Sequence, residues 1–229
     1  MADTHILDKM SYEIDVDKLL KKMHVTEGAD DAAALKRLTD EARSIGKPKA
    51  MYRIVNIDSR GEEHVVVDGK TFTSRVLAVN LEKAYRIFCT AVTCGMELEE
   101  WSQSKTDMLE NFWADAIKEM VLRTAYNILT GHLKETYKLG KTATMSPGSL
   151  GDWPIKEQRI LFSILGDTKG AIGLELNDSF LMLPTKSVSG IRFATEENFE
   201  SCLLCPREKC PGRRAKYDEN LYDRKYSVK

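Results

Sequence analysis

The sequence predicts an α+β domain: a twisted, mainly antiparallel sheet, one long packed helix and a helical N-terminal layer. Three observations predict it. Residues 30–45 and 107–137 carry apolar side chains at helical spacing, the second over an unusually long stretch. Residues 50–73 switch to short apolar runs separated by Gly-containing turns. Short apolar runs that read as strands return after residue 173.

Asp30 and Asp31 precede Leu35, Leu38, Ala42 and Ile45 at helical spacing, and Gly46 with Pro48 stops the run. Lys18 to Met23 reads as a shorter helix. Residues 1–49 are therefore expected to form the helical layer, packed on a main domain at 50–195. From Ala50 the runs MYRIVNI, EEHVVV and TFT, parted by DSRG and DGK, describe a hairpin or a meander of three short strands. Ser74 suits an N-cap for a helix reaching Leu81. AYRIFCTAVT is a continuous apolar run, too short for a helix, and reads as a buried central strand ended by Cys94-Gly95. Met96–Ser104 reads as a short helix. Asp107–Tyr137 is the longest helical pattern, with Leu109, Phe112, Trp113, Ala116, Ile117, Met120, Val121, Thr124, Ile128 and Leu129 expected as its core stripe. Residues 138–152 are expected to be a loop, long enough to suggest function. Asp152 and Pro154 mark a helix start that carries Gln158, Ile160, Leu161 and Ile164 to Gly166. GLELN, SFLMLP and GIRF read as strands, and residues 196–229 as a polar, basic tail with three cysteines.

Composition bounds the function. In 229 residues, 42% are hydrophobic and 30% charged, which excludes collagen, a disordered chain and a small disulfide scaffold. The net charge is −1, without the basic excess expected of a nucleic-acid binder. No apolar run approaches the roughly 18 residues needed to span a bilayer, and the N-terminal stretch has no secretory pattern. A cytoplasmic protein is expected, its five cysteines reduced or bound to metal.

Several motifs fail on inspection. Gly140-Lys141-Thr142 follows a helix, and position 135 is Glu where a phosphate loop needs Gly. No G-x-S-x-G elbow occurs, and His5, His24, His64 and His132 are scattered. Cys202, Cys205 and Cys210 are the strongest metal signal. The two-residue gap lets thiolates converge, although zinc and iron–sulfur clusters want four ligands. Cys89, Cys94, a carboxylate or an external ligand would complete the set. Residues 206–229 hold eight Lys or Arg against four Asp or Glu. Such a tail could meet an acidic protein or a phosphate.

Residues 146–193 carry a set of features in one order: Ser146-Pro147-Gly148, Gly151-Asp152-Trp153-Pro154, Gly173-Leu174-Glu175-Leu176, Met182 with Pro184, and Ser187-Val188-Ser189-Gly190. The set resembles the activation (reactivation) domain of cobalamin-dependent methionine synthase. Weaker similarity reaches back through Thr93-Cys94-Gly95 and the long helix, so about residues 50–195 are covered. The resemblance implies a free-standing accessory domain that docks on a corrinoid-carrying methyltransferase and supports reductive methylation of its cobalamin, in methionine synthesis. The implied cofactors are S-adenosylmethionine and the partner's cobalamin, with a flavodoxin- or ferredoxin-type electron donor. The implied groove residues are Ser146, Pro147, Gly148, Asp152, Trp153, Ser187, Val188, Ser189, Gly190 and Arg192. Thr144 and Ser149 stand where the family carries an Arg and a Tyr that contact the ligand. Arg192 replaces an aromatic and offers a guanidinium from another direction. Two alternatives are an iron–sulfur redox module built on the tail cysteines, and a corrinoid-protein binding module that uses no S-adenosylmethionine.

Overall fold

The structure is a computed structural model and describes residues 3–227; the outermost two residues of the expected N-terminal layer and of the expected tail lie outside the described residues. A seven-stranded sheet of antiparallel ladders organises the chain. Its backbone is β2 (Lys49–Arg60), a 12-residue strand. One edge of β2 pairs along Lys49–Asn56 with β5 (Arg86–Thr93). The other edge is shared in succession by β1 (Thr4–Leu7), opposite Ala50–Arg53, and by β3 (His64–Val67), opposite Ile57–Arg60. A register shift between Ile57 and Ser59 bends β2 where the pairing changes hands. β4 (Lys70–Thr73) closes the meander, and β9 (Ser187–Ala194) and β6 (Thr142–Met145) extend the other side. The order is β4-β3-β2-β5-β9-β6. A small hairpin of β7 (Glu175–Leu176) and β8 (Met182–Leu183) stands apart.

The expected α+β class and the three-strand meander both hold. Two strands correct the reading. β1 lies inside the stretch expected to be helical, and β6 lies inside the stretch expected to be loop. Both are four residues long, too short for periodicity to register. In β6 the alternation is nevertheless visible: Ala143 and Met145 are buried, while Thr142 and Thr144 face the other way.

The helices are α1 (Val16–Met23), α2 (Asp30–Ile45), α3 (Arg75–Asn80), α4 (Met96–Gln103), α5 (Met108–Tyr137), α6 (Gln158–Leu165), α7 (Thr168–Ile172) and α8 (Leu221–Lys225). Side-chain oxygens set several starts. Ser74 Oγ accepts from Leu77 N at 2.9 Å, as its N-cap position predicts. Asp107 Oδ1 accepts from Leu109 N and Glu110 N at the head of α5. α5 runs past Gly131 to Tyr137, and there Tyr52 of β2 holds it through bonds to His132 Nε2 and Tyr137 Oη, each 3.0 Å.

Apolar burial falls into three clusters. Cys89, Ala91, Ile191, Phe193 and Met145 pack one sheet face against α3, α6 and α7. Tyr52, Phe88 and Val92 pack the opposite face against Ala125, Leu129 and Leu133 of α5. Leu19, Leu35 and Leu38 of the N-terminal layer pack on Trp113, Ile117 and Val121, the first half of α5. Each such side chain contributes roughly 1.5–3 kcal/mol by leaving water. The α5 stripe starts later than expected, because Leu109 and Phe112 are exposed, Phe112 by 58%.

The C-terminal residues fold back rather than trail in solvent. Phe199 is buried, and Tyr226, just after α8, is 1% exposed. Tyr226 donates its hydroxyl to Asn80 at 3.0 Å, while Arg75 donates to the Tyr226 carbonyl at 2.9 Å. Phe199, among Glu196, Glu197 and Glu200, and Tyr226, beside Tyr222, carry the anchoring.

Candidate ligand groove at the β6–β9 edge

The register of β6 against β9 places Met145 opposite Ile191, so the chain leaving β6 runs directly beside Gly190. A Cβ on Gly190 would lie 2.6 Å from both Met145 O and Ser146 Oγ. Only glycine permits that approach. Ser146-Pro147-Gly148 and Ser187-Val188-Ser189-Gly190, distant in sequence, therefore form one edge. The turn is closed by Ser149 N and Oγ donating to Ser146 O, at 3.1 and 2.6 Å. Gly148 holds φ at +83° and donates to Trp153 O at 2.7 Å. Gly148, Ser149 and Gly151 are exposed, so a flat surface can come close to backbone there.

The remaining expected residues divide. Ser187 Oγ donates to Pro184 O at 2.7 Å, and Val188 packs against the α5 face. Ser189 points to the opposite face, where its hydroxyl is buried without a hydrogen-bond partner among the described residues. Trp153 is 0% exposed, with its Nε1 on Glu157 Oε2 at 3.0 Å and its ring edge-on to Phe72 at 5.6 Å. It belongs to the core and offers no face to a ligand. Asp152 does not cap the helix that follows it. Its carboxylate reaches across to α3, accepting from Val76 N at 3.0 Å and from Ser74 Oγ. Leu150 and Trp153 pair in an isolated antiparallel bridge that closes the turn carrying Asp152.

Arg192 sits on the α5 side of β9 and is 6% exposed. Its guanidinium donates to Thr142 Oγ1 at 2.9 Å, Tyr126 Oη at 2.8 Å and Thr130 Oγ1 at 2.9 Å, and lies 5.5 Å from the Tyr126 ring centre. Thr144, directly opposite Arg192 in the ladder, accepts from Tyr126 Oη at 3.4 Å. Sequence reasoning missed Tyr126, Thr130 and Thr142. They come from a helix and an edge strand whose meeting no local pattern encodes.

The cysteine expectation fares differently. Among the described residues no three His, Cys, Asp or Glu side chains converge as a group that could hold a metal, Cys202, Cys205 and Cys210 included. Arg213 organises their loop instead, donating to the carbonyls of Cys202 and Ala215 at 3.2 Å, Cys205 at 3.2 Å, and Arg207. Burial pushes the Cys89 and Cys94 thiols up to about 12. A cleft of about 330 Å³ separates this loop, at Leu204, Cys205 and Pro206, from Gly148, Gly151 and Ile155. No helix among the described residues is long and apolar enough to cross a membrane.

No family model and no curated protein matches the chain. Among solved structures, it matches the crystal structure of the MetH reactivation domain bound to AdoHcy, with a TM-score of 0.60 and 13% sequence identity. The match covers 86% of this chain and 80% of that one. At that identity the likeness concerns fold, and it spans most of both chains. The chain has the fold of the MetH reactivation domain.

Proposed function

We propose that the chain is an accessory reactivation module. It binds S-adenosylmethionine along the β6–β9 edge and docks that end of the sheet on a corrinoid-carrying methyltransferase, in support of methionine synthesis. The observation that carries this reading is the fold shared with a domain solved bound to AdoHcy, joined to the contact at Gly190 that makes one edge of the two matching stretches.

The residues fit such a ligand in part. β6 is the last strand of the sheet path, so its outer backbone groups have no strand partner and can pair with a ligand. Arg192 supplies positive charge behind that edge. Thr144 and Ser149 supply neither the guanidinium nor the aromatic ring that the family resemblance carries there. Gly148, Ser149 and Gly151 are exposed there, beside Ile155 and the cleft shared with Leu204 and Pro206. The partner's cobalamin would supply the methyl-accepting cobalt and a flavodoxin- or ferredoxin-type protein one electron, with S-adenosylmethionine leaving as the neutral thioether S-adenosylhomocysteine. This chain's share is positioning: it holds the donor in line and excludes water.

The test mixes the full chain with a cobalamin-loaded methionine synthase fragment lacking its own reactivation domain, S-adenosylmethionine and a low-potential chemical reductant. The absorbance of the cobalamin is expected to convert to the methylated form only when the chain is present. No conversion, together with no complex on gel filtration, overturns the proposal.

A further inference from the structure

Two basic side chains are buried among the described residues, Lys118 and Arg192. Lys118 has the Glu99 carboxylate at 3.0 Å. Arg192 forms no ion pair among the described residues, and its guanidinium is met by three hydroxyls, from Thr142, Tyr126 and Thr130. Hydroxyls satisfy N–H donors but bring no counter-charge. A cation held away from water without one costs several kcal/mol.

We infer that Arg192 and its hydroxyls form a receiving site for a carboxylate, the one at the amino-acid end of an S-adenosyl ligand. The chemistry of the basket supports an anion. Each hydroxyl accepts from the guanidinium through oxygen and keeps its own proton to donate. The proton of Tyr126 is committed only to Thr144, at a long 3.4 Å. An entering carboxylate would therefore meet one cation and up to three O–H donors. The position supports the same ligand. Thr142, Thr144, Tyr126 and Thr130 are only half-buried, and β6 is the last strand of the sheet path. Arg192 lies two residues beyond Gly190 on the same strand, about 7 Å away, and both face α5. A nucleoside at the Pro147-Gly148 turn would direct a short amino-acid chain toward Arg192. The inference rests on the proposed S-adenosyl ligand, and its test separates the two.

The test titrates the full chain by calorimetry with S-adenosylhomocysteine, with 5′-methylthioadenosine, which keeps the nucleoside thioether but lacks the amino-acid end, and with methionine alone. S-adenosylhomocysteine is expected to bind at least about 30-fold more tightly than methylthioadenosine, the size of one charge-assisted contact. Arg192→Gln should erase that difference without weakening methylthioadenosine. Thr130→Val, at a half-buried helix position, should lower S-adenosylhomocysteine affinity several-fold and serves if the arginine variant fails to fold. Equal binding of the two nucleosides, or an unchanged ratio in the folded variants, overturns the inference while sparing the nucleoside site. If neither nucleoside binds, the S-adenosyl reading fails. Methionine binding that Arg192→Gln abolishes would then uphold the carboxylate site alone, and no methionine binding would overturn it as well.

Discussion

Lys118 and Arg192 present the same physical problem at two ends of one helix–sheet interface, and the chain answers it differently. Around Lys118 everything is closed. Glu99 takes its charge at 3.0 Å, and Thr185 donates its backbone N–H to Glu99 at 3.1 Å and its hydroxyl at 2.8 Å, leaving the carboxylate well satisfied. That cluster ties α4, α5 and the chain entering β9 together. Around Arg192 the hydrogen bonds are present and the opposite charge is not. A paired charge locks three elements, whereas an unpaired one keeps an affinity in reserve. The contrast teaches where in this fold to look for structure and where to look for recognition.

The largest expected effect breaks the closed side. Lys118→Met leaves the Glu99 carboxylate buried without its cation and should destabilise the protein by about 3–5 kcal/mol. Arg192→Met orphans no carboxylate and should cost less than about 2 kcal/mol, the scale of a neutral hydrogen bond or two. Urea unfolding of both variants measures the difference, and a greater loss at Arg192 would reverse the comparison. Trp153→Ala sharpens it from the other sheet face. Removing this fully buried ring should cost about 3–5 kcal/mol, while the folded variant keeps its S-adenosylhomocysteine affinity. A loss of affinity at unchanged stability would return Trp153 to the site. The smallest effect is in acid. Burial pushes the Glu99 carboxyl up, but hydrogen bonds from Thr185 and Lys118 outweigh it and hold the group below its usual 4.5. A carboxyl lowered in the folded state gives stability that is complete above the unfolded value and is lost as pH falls through the folded one. Unfolding midpoints should therefore decline below pH 4.5, and Glu99→Gln should flatten that decline. Parallel curves for the two proteins would contradict the assignment.

Legibility followed the length of the pattern. The long helix α5, the buried strand β5 and the meander after Ala50 could be read because each repeats its period several times. β1 and β6 could not, since four residues hold only two turns of alternation. The C-terminal anchor was hidden because Phe199 and Tyr226 lie in polar stretches with no sustained apolar period. At the site, the stretches around Gly148 and Gly190 were legible as a set of spaced residues, and strand register makes them neighbours. Asp152 and Trp153 fell in the same run of sequence, but one is tied to α3 and the other is sealed in the core, which their spacing does not show. The hydroxyls around Arg192 were illegible, because Tyr126 and Thr130 reach it only through the way α5 crosses the sheet.

The most direct test of the β6–β9 edge as a ligand groove is a titration of the isotope-labelled full chain with S-adenosylhomocysteine, followed by nuclear magnetic resonance. The predicted result is saturable shifts at the amides of Ser146, Gly148 and Gly190 and at the Arg192 side-chain Nε, with α6 and α7 silent. Saturable shifts confined to α6 and α7, or none at millimolar ligand, would contradict it.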